Sequence, residues 1–459
     1  ISLCLLLIVR DEAESLKQNL PLWSEIIDCF VIGVDDRTTD QSASTIHAPT
    51  PAFPSAIQCR FVFYFTFKDF AQARNAVLRS TAHIFPEVTH IINADADWRP
   101  DTATLDKTEL DFSHGSFPFV VWDHSGQTSR LLGWLSRFDA SLRFKYRVHE
   151  VLDTSASAVS ALPPKAVGWE VRIVESDSNW NAKVHQHSRS SERFLSDLRL
   201  LELDYLDDPT DLHTLFYLGI TTFAYIESYL GKGTHEKTPE LQALITSGMS
   251  YFRQAIDLHG NLQTSEASSC LALVWGSKRW LAYGYQYFVG DSEQAEKAYQ
   301  ACLDYDPARV DCVVFLSRLY LANNEVDKAW DKAKMGLLHR PAAGRALTFF
   351  YTFECFVPAQ AATVISKRLL SSSSNIGNDS IEGLLTLGWY LLRHHRDQCH
   401  HGVMVDSPED IDRLESWFDE TIARQGLDIE GKKRATLLNS EESLLAMLLR
   451  TWGTGVKAS

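Results

Sequence analysis

The run Ile91-Ile92-Asn93-Ala94-Asp95-Ala96-Asp97-Trp98-Arg99-Pro100 reads as a short buried strand that ends in two carboxylates two residues apart, just ahead of a proline turn. In open, mostly parallel sheets, ligands sit beyond the carboxyl ends of the strands, so a strand running into Asp95 and Asp97 marks an edge where chemistry is expected. Outward from it, Leu3 to Val9, Cys29 to Val34 and Phe61 to Phe65 are further apolar or β-rich runs. They alternate with amphipathic stretches over Glu14 to Trp23 and Phe70 to Ser80. That alternation predicts an α/β domain with helices on the faces of a mostly parallel sheet. Two more of its strands end in charged residues, at Val9-Arg10-Asp11-Glu12 and at Val34-Asp35-Asp36.

Beyond the edge the pattern changes twice. From about 115 to 190, aromatic and polar residues mix (Phe117, Phe119, Trp122, Trp134, Phe138, Phe144, Tyr146), which fits short mixed strands over a cleft. From Ser191 onward the reading is helical almost to the end, and it contains a repeat. Leu281, Tyr285, Tyr287, Glu293, Ala295, Leu303 and Pro307 recur 34 residues later as Phe315, Leu319, Leu321, Asp327, Ala329, Leu337 and Pro341. A large-apolar helix, a short turn, an Ala-rich helix and a proline at this period are the tetratricopeptide signature. Weaker copies begin near Leu215 to Gly219 and Leu384 to Gly388. The expected division is an α/β domain over 1–205 and an all-α tetratricopeptide-like domain over 206–459.

Composition narrows the function classes. With 459 residues, 45% hydrophobic and 22% charged, the chain has enough apolar material for more than one core. A net charge of -15 argues against a non-specific grip on nucleic acid, which needs a basic surface. The eight cysteines are scattered without a C-x-x-C pair, so reduced, mostly buried thiols and a reducing, cytoplasmic compartment are expected. The apolar stretch Ile1 to Val9 is far short of the roughly 18 residues a bilayer span needs, so it reads as a buried strand in a trimmed chain rather than as a leader or transmembrane segment.

Asp95 and Asp97 can point into one cleft and hold a hard divalent cation, Mg²⁺ or Mn²⁺, against a diphosphate, because carboxylate oxygens suit such ions. Asp35 closes a strand where a carboxylate can accept a hydrogen bond from a base or ribose. Arg74 and Asn75 open a helix, placed either to orient a diphosphate or to brace the acidic loops.

Taken in order, Val9-Arg10-Asp11-Glu12, Val34-Asp35-Asp36-Arg37-Thr38-Thr39-Asp40, Ala73-Arg74-Asn75 and Asp95-Ala96-Asp97 resemble the N-terminal motifs V-K-N-E, V-D-T-G-S-T-D, A-R-N and D-A-D. These are the motifs of family-2 glycosyltransferases of GT-A fold, in particular members with tetratricopeptide repeats after the catalytic domain. The resemblance implies transfer of a sugar from a nucleoside-diphosphate donor, assisted by a divalent metal, to a glycan, peptide or protein acceptor, with inversion. It implies that Val9, Arg10, Glu12, Asp35, Arg74, Asn75 and Asp95 line the nucleotide-sugar site, with Asp35 contacting the base and Asp97 ligating the metal. Tyr146-Arg147-Val148-His149-Glu150 resembles the family's V-H-E segment beside the acceptor, which adds His149 to the site. Val184-His185-Gln186-His187 resembles a later His-containing segment, which makes His187 or His185 a candidate for the metal shell. An inverting transfer needs a carboxylate base, for which Glu150 is the first candidate and Asp139 the reserve.

Three departures stand out. Asp36-Arg37 replaces the usual Thr-Gly, so a turn that glycine makes easily must be made otherwise. Asp11 replaces Asn, and Trp98 stands where an acid often follows. The altered turn keeps a rival open, a degenerate transferase fold serving as a non-catalytic scaffold whose repeats bind a partner protein. A nucleotidyltransferase would carry a Gly-rich basic loop after the first strand, where this chain has Arg10-Asp11-Glu12.

Overall fold

The computed structural model describes residues 1–47, 59–122, 129–174, 191–230, 238–261, 268–307, 309–338, 356–371, 384–385, 387–389, 391–392 and 408–425. The described residues divide into two compact units, one over 1–280 and one from 281 onward.

In the first unit, β1 (Leu3–Val9), β2 (Cys29–Asp35), β3 (Cys59–Phe65) and β4 (His90–Ala94) run parallel in the order β3-β2-β1-β4. After β5 (Trp98–Pro100), β6 (Phe119–Trp122) and β7 (Ser129–Leu132), β8 (Leu135–Arg137) joins β4 antiparallel and completes a five-stranded sheet. Alternate side chains of each strand enter opposite cores, as a two-residue period requires. Leu3, Leu5 and Leu7 pack with Leu16, Leu20 and Trp23 of α1 (Ala13–Trp23) and with Ile46 of α2 (Ser42–His47). Cys4 and Leu6 pack with Val77 and Leu78 of α3 (Phe70–Ile84). Helices on both faces explain why β1 and β2 read as continuous apolar runs. Asp69 caps α3 by accepting the Gln72 amide at 2.6 Å.

The 115 to 174 region supplies the short mixed strands expected of it. Besides β6, β7 and β8 it contains β9 (Arg143–Lys145), β10 (Val151–Asp153) and β11 (Glu170–Ile173). They form a four-stranded sheet, β5-β11-β6-β7, and a β9-β10 hairpin. Every described element after β11 is helical. The first unit continues with α4 (Ser191–Asp207), α5 (Leu212–Leu230), α6 (Pro239–His259) and most of α7 (Ser268–Tyr283). Gly219 on α5 and Gly248 on α6 let these helices approach: an added Cβ would meet the Phe252 ring at 2.5 Å and the Phe223 ring at 2.7 Å, respectively.

The second unit begins with a π-helical turn, Gly284–Val289, followed by α8 (Ser292–Tyr305), α9 (Asp311–Ala322) and α10 (Val326–Leu338). These are successive helix hairpins of the predicted period. Gly290 (φ 80°) and Asn324 (φ 60°) hold the same left-handed turn one 34-residue repeat apart. Ala295 and Ala329, also one repeat apart, are fully buried at the helix contacts. Tyr299 stacks on Phe315 with ring centres 5.5 Å apart. The thiols of Cys302 and Cys312 meet at 2.7 Å between α8 and α9, and neither is in a disulfide. Later helices are α11 (Phe356–Ser371) and α12 (Pro408–Arg424). In the weaker copy near Leu384, Gly388 repeats the α5 device, since an added Cβ there would collide with the Phe418 ring. Among the described residues no helix is long and apolar enough to cross a membrane.

Candidate functional site

Because β1, β2 and β4 are parallel neighbours, the residues that follow them open on one edge of the sheet, and the order places a topological switch between β1 and β4. Asp11-Glu12, Asp35-Asp36 and Asp95-Asp97 therefore share that edge. The first two loops are tied together directly. Asp11, in the left-handed region (φ 53°), accepts the backbone amides of Thr39 at 2.7 Å and Asp40 at 3.2 Å. The Glu12 amide donates to Ser42 Oγ at 2.7 Å and the Ala13 amide to Asp40 at 2.9 Å. Aspartate tolerates a positive φ nearly as well as asparagine does.

Arg74 is the hub. It is 3% exposed, its guanidinium 4.4 Å above the Trp134 ring. It donates from Nη2 to Asp95 Oδ1 at 2.7 Å and from Nε to Glu150 Oε1 at 2.5 Å. Burial disfavours its charge, but Glu150 and Asp95 together outweigh burial and raise its pKa further. Residues 74, 95 and 150 thus form one charged cluster. Asn75 turns away from it: its side-chain amide exchanges two hydrogen bonds with the Phe144 backbone, at 2.9 and 2.8 Å, and braces β9.

Asp95 and Asp97 lie in a tight turn closed by the Trp98 amide on Asp95 O at 3.1 Å. Trp98, found where an acid was expected, is 1% exposed and stacks on Trp134 at 5.5 Å, so it anchors the exit of the turn. The Asp95 side chain is 43% exposed and Asp97 is half-buried. Two carboxylates in one turn fit an oxygen-preferring divalent cation that takes its remaining ligands from phosphate and water. Among the described residues no group of three or more His, Cys, Asp or Glu gathers as a complete metal cage. His185 and His187 lie outside the described residues.

Glu12 sits beside these acids. Burial pushes its carboxyl up to about 7; the hydrogen bond from Ser15 opposes the shift, while Asp95, Asp40 and Asp11 add to it. Asp35 behaves differently. It is 2% exposed, and Arg37 reaches it through the backbone amide at 3.1 Å, Nε at 3.1 Å and Nη2 at 2.7 Å. Burial raises its pKa, but Arg37 more than offsets that and holds the carboxyl below its ordinary value. The turn after β2 needs no glycine, since neither Asp36 nor Arg37 has a positive φ. Arg10 is exposed with Nε 3.9 Å from Asp35, whereas the Val9 side chain is in the core and only its backbone borders the edge.

Glu150 follows a turn with two left-handed non-glycine residues, Tyr146 (φ 68°) and His149 (φ 55°), a conformation that persists only where surroundings impose it. The restraints come from α3, α4 and α5. The Arg147 carbonyl accepts the Phe70 amide at 2.9 Å, and the Arg147 guanidinium bridges Asp204 at 2.5 Å and Asp207 at 2.7 Å. Tyr146 donates to Asp211 at 3.0 Å and stacks on His213 at 3.8 Å. His149 stacks on Tyr217 at 4.1 Å beside Glu150. Sequence reasoning missed Trp134, Arg147 and Asp204, whose partners lie about 60 residues away and follow no spacing rule.

Asp139, the reserve base, is a correction. Because β8 runs antiparallel to β4 and Arg137 pairs with His90, Asp139 falls at the amino edge of the sheet, opposite the acidic loops. Its carboxylate accepts from Ser141 N at 2.8 Å, Ser141 Oγ at 2.7 Å and Ser157 Oγ at 2.8 Å, a local turn cap.

No protein-family model matches the chain, and no curated protein matches it either. Solved structures similar to it include MamA, at 13% identity over 48% of this chain and 96% of that one, with a TM-score of 0.30. TTC0263, a thermophilic TPR protein of Thermus thermophilus, is 14% identical over 50% and 92%, with a TM-score of 0.28. BtubC from P. vanneervenii is 10% identical over 55% and 94%, with a TM-score of 0.27. At such scores these likenesses carry no argument, and the case for helical repeats rests on the chain's own hairpins.

Proposed function

We propose that the N-terminal unit is a family-2, GT-A type glycosyltransferase that moves a sugar from a nucleoside-diphosphate donor to an acceptor hydroxyl with inversion. What supports the reading is the parallel β3-β2-β1-β4 order, which opens Glu12, Asp35 and Asp95 onto one edge at a switch point. Asp95 and Asp97 would hold Mn²⁺ or Mg²⁺ together with the donor's phosphates, and the ion would offset charge building on the leaving diphosphate. Glu150, paired with Arg74 through one oxygen, is the base for the acceptor proton through the other. The helical repeats are assigned to a peptide, protein or glycan acceptor.

The test is turnover of a panel of nucleotide sugars with Mn²⁺ by the full chain. Hydrolysis or transfer by the native protein, abolished by EDTA and lowered at least about 100-fold in Asp97→Ala, is expected for a lost charge-stabilising contact. Absence of turnover, with nucleotide binding unchanged in Asp97→Ala, would overturn it. One observation favours a second reading, a non-catalytic scaffold: Arg74 and Arg37 already neutralise Glu150, Asp95 and Asp35 from within.

A further inference from the structure

β3 lies at the outer side of the five-stranded sheet: the order β3-β2-β1-β4-β8 gives it one neighbour, β2, and among the described residues no strand pairs with its other edge. The Phe65 carbonyl accepts the Asp36 amide at 2.9 Å and so faces β2. The N–H and C=O of one strand residue share a side and alternate along the chain, so those of Phe61 and Phe63 also face β2, while those of Val62 and Tyr64 face away from the sheet. Sheet edges are ordinarily blunted by lysine, proline, a bulge or a very short strand. Cys59-Arg60-Phe61-Val62-Phe63-Tyr64-Phe65 instead keeps seven residues in unbroken register with β2, with no proline and one charge. Phe61, Phe63 and Phe65 form a half-buried row on one face, ring centres 6.0 and 6.2 Å apart. On the other face Arg60 is exposed and Tyr64 is 57% exposed.

The strand is its own complement. Turned about a two-fold axis through Val62, an antiparallel copy sets Val62 against Val62 with the outward N–H and C=O groups bonded, and it sets Phe61 against Phe63 and Arg60 against Tyr64, each twice. Aromatic pairs across strands are favourable, and the strand's one charge meets the exposed ring of the other copy. A parallel copy in the same register would set Arg60 beside Arg60. Arg60 is steadied by donating from Nη1 to the Ile46 carbonyl, a bond that uses the rim of the planar group and not its face. We infer that the outer edge of β3 is the docking surface for a second copy of this chain, joined antiparallel about Val62 so that one continuous sheet runs through both copies. Such pairing is isologous and closes at two, because each copy uses up the same edge. A contact of this size stays below about 1,200 Å², which suits a dissociation constant on the order of 10 μM.

The experiment is sedimentation velocity of the full chain from about 1 to about 200 μM, a range that brackets the expected affinity. A monomer–dimer equilibrium is expected, with nothing larger. Val62→Pro removes one outward N–H from each copy, leaves the bonds to β2 in place and is of the kind edge strands tolerate. It should weaken dimerisation at least about tenfold with the circular dichroism unchanged. Tyr64→Lys, at an exposed side chain that the fold does not need, sets an ammonium against Arg60 and should weaken dimerisation by about as much. Arg60→Glu added to Tyr64→Lys restores opposite charges across the pair and should bring the constant back to within about threefold of native. A monomer at every concentration, assembly beyond the dimer, a dimer indifferent to Tyr64→Lys, or no recovery in the double variant overturns the assignment.

Discussion

At the carboxyl edge of β1, β2 and β4 the deciding contacts are charged, and Arg74 with Asp95 and Glu150 and Asp11 with the Thr39-Asp40 loop join distant parts of the chain, while Arg37 covers Asp35 from two residues away. In the hairpins of the second unit they are uncharged and recur at one spacing, buried Ala295 and Ala329 and left-handed Gly290 and Asn324, with Tyr299 stacked on Phe315. The first region stores buried charge that is tolerable only while every partner is present. The second stacks one local unit on the next, and each contact is worth about what its shape is worth. Substitutions should therefore act differently in the two.

The sharpest break is Arg74→Met. Removing the shared cation leaves two carboxylates facing each other without compensation, and a loss of about 3–5 kcal/mol is expected by urea denaturation. A loss below about 1 kcal/mol would mean that the cluster is solvated and that the contrast fails. Glu12→Gln is next. A carboxyl raised to about 7 binds its proton more tightly folded than unfolded, so its ionisation costs stability as pH climbs from the ordinary carboxylate range through 7. In EDTA, native stability should fall over that window by on the order of 2 kcal/mol, and the variant's profile should be flatter by that amount.

Packing alone should cost less. Gly219→Ala forces a methyl against the Phe252 ring 2.5 Å away, and about 1–2 kcal/mol should be lost in thermal unfolding. The smallest effect sharpens the repeat equivalence. Gly290→Ala puts a Cβ into a left-handed turn and should cost about 1 kcal/mol, whereas Asn324→Gly at the same place in the next hairpin should be neutral within about 0.5 kcal/mol. Equal losses at both would show that the two turns are not equivalent.

The strands, the helical stretches and the repeat were legible in the residues because each rests on a local period. The acidic loops were legible as strand ends, and the parallel order brings them together. Asp139 is misplaced by sequence reasoning because nothing in Leu135 to Arg137 tells which way that strand runs, and direction alone sends the residue to the far edge. Asn75 reads as a possible ligand and instead braces β9, since its partner Phe144 lies 69 residues on. Arg37 looks like a defect in a glycine turn, yet its fork is what covers Asp35.

Periodicity in the chain by itself determined the apolar faces, the hairpin turns and the acidic ends of β1, β2 and β4, because burial period and turn chemistry are set by neighbours a few residues apart. Tertiary structure alone decided which acids carry a counter-charge: Arg74 reaches Asp95 and Glu150, and the Arg147 guanidinium reaches Asp204, across 21 to 76 residues. Coulomb attraction depends on distance in space and on burial, and neither is written in the order of the residues.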